Sequence, residues 1–269
     1  TFFYDSAHIE NYSKLKKYWI PLSLIRGLSV EKKLKRILLE KKPQIAIVHN
    51  FSPLISQSII KFLKKNNIPV LKRLENFKFL CLNGLFMRND FSACEVCKNG
   101  NFFPGIFHRC YQRSLFNSAG LAFSEWIHRK LGTVKKYPDL FLASSRFVKS
   151  KFVEAGFPAD KIHVYPNILD FEPVEEETPA SEYAVYLGRL SFEKGLMTLM
   201  RAFKELPHLP LKIIGSGPME TVLKEYVQEN GMGHITFEGF VDGPQKKELL
   251  KKALFLIFLH IRQTNYSCY

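Results

Sequence analysis

YAVYLGRLSFEKGLMTLMRAFKELPHLPLKIIGSG, residues Tyr183 to Gly217, is the stretch on which the fold turns. Its first five residues, Tyr183 to Leu187, are an unbroken apolar run that suits a strand buried on both faces of a parallel sheet. The run stops at Gly188. After Gly188-Arg189-Leu190 and Ser191-Phe-Glu-Lys194-Gly195, the residues Leu196, Leu199, Met200 and Phe203 recur at helical spacing. A second apolar run, Leu211 to Ile214, then predicts another strand. This is a βαβ unit. Sheets built from such units bind ligands beyond the carboxyl ends of their strands, where glycine admits close backbone approach and a helix start offers unpaired N–H groups.

Arg189 and Lys194 therefore stand where an anion would be held. They are also readable as surface cations at a helix start, although the positive end of the helix dipole favours acidic residues there. Downstream, Ile214-Gly215-x-Gly217-Pro218 and Phe237-x-Gly239-Phe240-Val241 place further glycines at strand ends. Together with Gly188-Arg189-Leu190-Ser191-x-Glu193-Lys194-Gly195 and Ala202-Phe203, these blocks resemble the nucleotide-sugar half of the glycosyltransferase family 4 enzymes, in family order and at family spacing. The resemblance implies that Arg189 and Lys194 grip the pyrophosphate of a nucleoside-diphosphate sugar. It also implies that Gly188, Gly215 and Gly217 let backbone close on the donor, and that Phe240 and Val241 meet the base.

Composition bounds the rest. The chain has 269 residues, 46% of them hydrophobic, enough for a real core and for two α/β domains. Its net charge of +14 is uneven: residues 1–170 carry 28 Lys and Arg against 12 Asp and Glu, the remainder 11 against 13. Nucleic acid and an anionic membrane surface are physically reasonable partners for the basic half, as is plain solvation. No charged segment followed by an apolar one is seen in the first residues of the sequence, and the longest apolar run, Ala253 to Leu259, is far short of the ~20 residues that span a bilayer. A cytoplasmic protein, at most peripheral to the inner face of a membrane, is expected.

In the first half, Asn11–Trp19 and Val30–Glu40 have helical spacing. The second has Ser29 as a candidate cap and Lys32, Lys33, Lys35, Arg36, Lys41 and Lys42 around it, either a membrane-facing helix or an ordinary solvated one. Ile45–Val48 and Pro69–Leu74 read as strands, with Ser52 capping the helix between them. The strand Pro43 to Val48 ends in His49-Asn50, a pair that resembles the family's strand end at the interdomain cleft and makes His49 a candidate catalytic residue. Where relatives often carry a second His, this chain has Glu75.

From Asn76 to Tyr111 periodicity disappears and four cysteines take over: Cys81, Cys94, Cys97 and Cys110, spaced C-x12-C-x2-C-x12-C. In a reducing compartment they are either ligands of a closed structural zinc site or free thiols, with His108 able to replace one of them. A loop of that length without its own core gains most from such a staple. The loop also resembles a cysteine-loop subgroup of the family. Arg113–Leu131 reads as an amphipathic helix and Asp139–Ala143 as a strand. Ser144 or Ser145 caps a helix that Gly156 ends, and Ile162–Tyr165 is a further strand.

The family resemblance implies the GT-B arrangement, an α/β fold of two Rossmann-like domains with parallel sheets facing a cleft. Residues 1–170 would be the acceptor side, 171–182 a linker and 183–269 the nucleotide-sugar side. It implies retaining transfer of a sugar to a glycan or lipid-linked acceptor, with the two cations neutralising the leaving diphosphate. Past Leu259 the match to the family stops before its glutamate pair. The amino terminus begins as if within a strand. Both suggest a chain cut or frame-shifted at its ends, with weak or absent turnover. The rival from another class is a non-enzymatic, basic, zinc-containing module that binds nucleic acid. It leaves the Arg189 and Lys194 block unexplained.

Overall fold

The computed structural model describes residues 27–50, 55–89, 92–167 and 182–259. The expected Asn11–Trp19 helix, the Ser52 cap, residues 171–181 of the linker and everything after Leu259 lie outside the described residues. What is described falls into two compact units, each built on a four-stranded parallel sheet.

The first unit runs α1 (Leu28–Lys41), β1 (Ala46–Val48), α2 (Ser58–Lys65), β2 (Val70–Leu74), α3 (Phe103–Phe107), α4 (Leu115–Lys130), α5 (Thr133–Lys136), β3 (Leu140–Ala143), α6 (Arg146–Glu154) and β4 (Ile162–Val164). Its strands lie in the order β1-β2-β3-β4, all parallel. One core holds the sheet and its helices: Val30, Ile60, Leu63, Val70, Leu74, Phe141 and Phe152 are among its buried members. α1 begins at Leu28 with Gly27 as its N-cap residue, so Ser29, the expected cap, falls inside the helix. α6 has the cap read from the sequence: Ser145 Oγ accepts the Val148 N–H at 3.2 Å. Ser145→Ala leaves that N–H without its partner and is expected to cost about 1 kcal/mol in a urea melt, whereas the same change at Ser144 leaves stability unaltered.

The second unit runs β5 (Tyr183–Leu187), α7 (Leu196–Lys204), β6 (Leu211–Ile214), α8 (Glu220–Glu229), β7 (Ile235–Gly239), α9 (Gly243–Lys251) and β8 (Ala253–Ile257). β5 is buried on both faces, and its two-residue period sorts the side chains. Ala184 and Tyr186 pack under α7 and α8 with Leu199, Met200 and Leu223, while Tyr183 and Val185 pack on the opposite side with Ile214 and Val241. The strand order is β7-β6-β5-β8. The chain thus winds outward from β5 through β6 to β7, then crosses back to place β8 on the other side of β5. Between β5 and β8 the direction of winding reverses.

Candidate functional site

The loop leaving β5 carries Arg189 and Lys194, at that reversal point. Its shape is set by backbone contacts with the loop leaving β6. Gly188 N donates to Ile214 O at 3.0 Å, Leu190 N to Ser216 O at 2.9 Å, and Met219 N to Leu190 O at 3.0 Å. The glycines expected to approach a ligand first of all approach each other's loops: a Cβ on Gly215 would lie 2.0 Å from Gly188 O, and one on Gly217 2.4 Å from Leu190 O. Gly188 in turn leaves room for the Tyr186 hydroxyl, which donates to Arg189 O at 3.2 Å. Leu190, fully buried, anchors the middle of the loop, and Ser191 Oγ donates to Glu193 Oε1 at 2.6 Å. Gly195, in the left-handed region at φ 70°, turns the chain into α7.

The result is a rigid backbone that presents two cations. The Arg189 side chain is exposed and forms no ion pair among the described residues. Lys194 is half-buried, its Nζ 6.0 Å from the centre of the Phe258 ring just past β8. Of the two residues read as facing a base, Phe240 is 78% exposed, but Val241 is buried in the core with Tyr183, Val185 and Ile214. Its side chain packs the sheet, which leaves only its backbone for a ligand.

In the first unit a second polar group gathers beyond the carboxyl ends of β1 and β2. His49 Nδ1 lies 3.0 Å from Glu75 Oε1, so the residue found in place of an expected His holds His49 itself. Arg73 Nε is 3.3 Å from the same carboxylate oxygen, and its guanidinium also donates to the Asn167 side chain. Beneath them Lys72, 3% exposed, donates from Nζ to Val48 O at 3.1 Å, His49 O at 2.7 Å and Arg73 O at 2.8 Å. Burial pulls its pKa down from 10.5 to about 7, with Glu75 partly opposing. Lys72 thus ties the end of β1 to the end of β2 and fixes the backbone from which His49 projects. Sequence reasoning passed over it, although alternation places it inward: Val70, Lys72 and Leu74 are the buried positions of β2.

The four cysteines do converge. Cys81, Cys94, Cys97 and Cys110 line one small cavity together with His108 and Gly105. The structural zinc expected from their spacing is nevertheless not supported: among the described residues no group of three or more His, Cys, Asp or Glu could hold a metal ion. The four are free thiols. Burial pushes Cys81 and Cys110 up, and pushes Cys97 to about 11 with the other three thiols adding to the effect. Neutral thiols pack as small apolar groups, and Cys81 donates to Asn83 Oδ1 at 3.0 Å. The loop also has what the sequence did not show, a core of its own in which Leu82, Cys97 and Phe102 pack against Leu121 and Ala122 of α4. An antiparallel bridge between Met87 and Ala93 ties it further.

A parallel sheet in the order β7-β6-β5-β8, with a glycine-bounded loop carrying two cations at its reversal point, is a Rossmann-like arrangement. Residues 170–262 match the family described as glycosyl transferases group 1. Over 87 residues the chain is 29% identical to the O-antigen chain mannosyltransferase C of Escherichia coli, a stretch covering 32% of this chain and 23% of that protein. It is 24% identical over 245 residues to the uncharacterized glycosyltransferase MJ1059 of Methanocaldococcus jannaschii, which covers 84% of this chain and 52% of that protein. The chain thus spans about half or less of the length of these curated relatives.

Among solved structures, Anabaena HepE in complex with UDP-glucose superposes with a TM-score of 0.54 at 13% identity, covering 86% of this chain and 56% of that one. A glycosyltransferase from Rickettsia africae gives 0.53 at 14%, over 90% and 57%. At such identities the likeness carries the fold, which is GT-B. Among the described residues no helix is long and apolar enough to cross a membrane.

Proposed function

We propose that the chain is part of a retaining family 4 glycosyltransferase of the cysteine-loop type. It takes a hexose from a nucleoside-diphosphate sugar and passes it to a hydroxyl of a glycan or lipid-linked acceptor at a cytoplasmic membrane surface. The observation that carries this is the placement of Arg189 and Lys194 on a loop rigidly bonded to its neighbour, at the point where the second sheet reverses its winding. Two cations there hold a pyrophosphate in the ground state. They stabilise it more strongly as the sugar's anomeric bond breaks and negative charge collects on the leaving diphosphate. Guanidinium and ammonium contribute differently: Arg189 can bind two oxygens through its planar fork, whereas Lys194 is a point charge. In the first unit His49, oriented by Glu75 and seated by Lys72, is the candidate contact to the reacting hydroxyl or donor.

Titration of the full chain with UDP and GDP tests this. Arg189→Ala is expected to weaken nucleotide binding roughly tenfold to a hundredfold, the value of one or two charge-assisted hydrogen bonds, with Lys194→Ala weakening it less and neither changing the melting temperature. Nucleotide binding indifferent to both changes would sink the assignment. So would salt-sensitive binding of single-stranded RNA in place of nucleotide, the result expected of a basic nucleic-acid module.

A further inference from the structure

The basic helix α1 sends Val30, Leu34 and Leu38 into the core of the first unit and exposes Leu39 among its lysines, a small apolar area. A different face is more apolar and more exposed. Along α4, Phe116, Ala119, Phe123 and Trp126 follow one another at three- and four-residue steps on one side of the helix, and the three aromatics are 56%, 55% and 50% exposed. Phe123 and Trp126 stack with centroids 6.1 Å apart. Next to this stripe α3 adds Phe103 and Phe107, 68% and 72% exposed. Between them lies an open apolar groove of about 590 Å³, lined by Phe102, Phe103, Ile106, Phe123 and Trp126 among others.

An exposed aromatic face of this extent marks an interaction surface. Its charge says with what. From Gly100 to Tyr137 the sequence holds six Lys and Arg and a single acid, Glu125, which is buried on the far side of α4. Arg109 and Arg113, in the link between α3 and α4, and Lys130, one turn beyond Trp126, are exposed. Exposed aromatic side chains on a stretch whose exposed charges are all basic are matched to the interface of a bilayer bearing negative headgroups.

We propose that the α3–α4 face docks the protein on a bilayer containing anionic phospholipid, with Phe103, Phe123 and Trp126 entering the headgroup layer and Arg109, Arg113 and Lys130 above the phosphates. This rests on the membrane-surface part of the reading above and gives it a location. It is independent of the nucleotide site.

Trp19 and Trp126 are the two tryptophans of the chain, so a full-length Trp19→Phe protein reports Trp126 alone. Mixed with vesicles of phosphatidylcholine and phosphatidylglycerol, its emission is expected to move to the blue and to be quenched by brominated acyl chains. Vesicles of phosphatidylcholine alone should produce little of either. Phe103→Ser with Phe123→Ser is expected to lower partitioning about tenfold while UDP titration and the urea melt stay as in the parent. Arg113→Glu with Lys130→Glu should remove the preference for phosphatidylglycerol. An unmoved, unquenched Trp126 overturns the proposal without any substitution having been made. So does a concentration-dependent dimer in sedimentation that the Phe103/Phe123 variant dissolves, because a second copy would then be the occupant. Loss of UDP binding in the parent leaves this test untouched, so the two readings fail separately.

Discussion

Gly215→Ala and Gly217→Ala are each expected to unfold the second unit at denaturant concentrations where the parent is native, losing on the order of 3–5 kcal/mol. What a new methyl group would meet is backbone. At Gly217 it would stand 2.4, 2.7 and 2.8 Å from the O, C and N of Leu190, atoms that no rotamer change can move. Leu190 is fully buried, its N–H is bonded to Ser216 O and its carbonyl accepts from Met219 N. Making room therefore strains a core side chain and breaks two buried hydrogen bonds together.

Gly215 adds a conformational term. Its φ of 138° is one that L side chains rarely adopt, and the methyl would fall 2.0 Å from Gly188 O. Because Gly188 and Leu190 flank Arg189, the same substitutions should abolish nucleotide binding even under conditions where the unit stays folded. Gly233→Ala is the control: nothing lies within 4 Å of its Cβ position, so a shift of less than about 0.5 kcal/mol is expected. Urea melts of the four proteins, followed by tyrosine and tryptophan fluorescence, compare them directly. Equal midpoints for Gly217→Ala and Gly233→Ala would show that the two loops are not held together as described.

How much of this was legible beforehand depends on what each residue must do. Leu211–Ile214 was readable to the residue because three of its four side chains are apolar and buried, with only Lys212 partly exposed, and proline and glycine mark its ends. A cap at Ser144 or Ser145 was readable because capping is local, and the structure shows it at Ser145. Lys72 was not, since a lysine in a strand is ordinarily surface. Only the alternation of Val70, Lys72 and Leu74 sends it inward, onto carbonyls that come from a different strand. The cysteine spacing left zinc ligands or free thiols open for a related reason. Spacing along the chain reports which residues can meet, and the four thiols do meet, but it does not report the core that Leu82, Phe102 and Leu121 give the loop. The aromatic face of α4 was hidden in a helix whose periodicity fits burial as well as exposure. Which side is covered is decided by the distant Ser56 and Gln57, which meet His128 and Glu125.

That buried side of α4 carries the second large effect. Glu125 is buried with His128, and Gln57 Nε2 donates to its Oε1 at 2.6 Å. Burial raises its pKa from 4.5 to about 7, the Gln57 bond and the charges of Arg129 and Lys78 offsetting part of the rise. A carboxyl with a raised folded-state pKa binds more protons folded than unfolded between those two values. Its contribution to stability is therefore full below about pH 4.5 and is lost as pH climbs through 7.

Lys72 has the opposite sign. Its folded pKa is lowered to about 7 from 10.5, so the unfolded chain holds the extra proton between those values and stability recovers as pH rises across that window. The two groups together predict a stability minimum near neutrality, with separable limbs. Glu125→Gln keeps an acceptor for Gln57 and removes the titration. It should gain on the order of 3 kcal/mol at pH 8 relative to its effect at pH 4.5, leaving the alkaline limb in place. Urea melts of parent and variant from pH 4.5 to 10 measure this, and a stability difference constant across pH 4.5–8 would mean that Glu125 is ionised in the fold and that the buried network of α4 is wetter than its packing indicates.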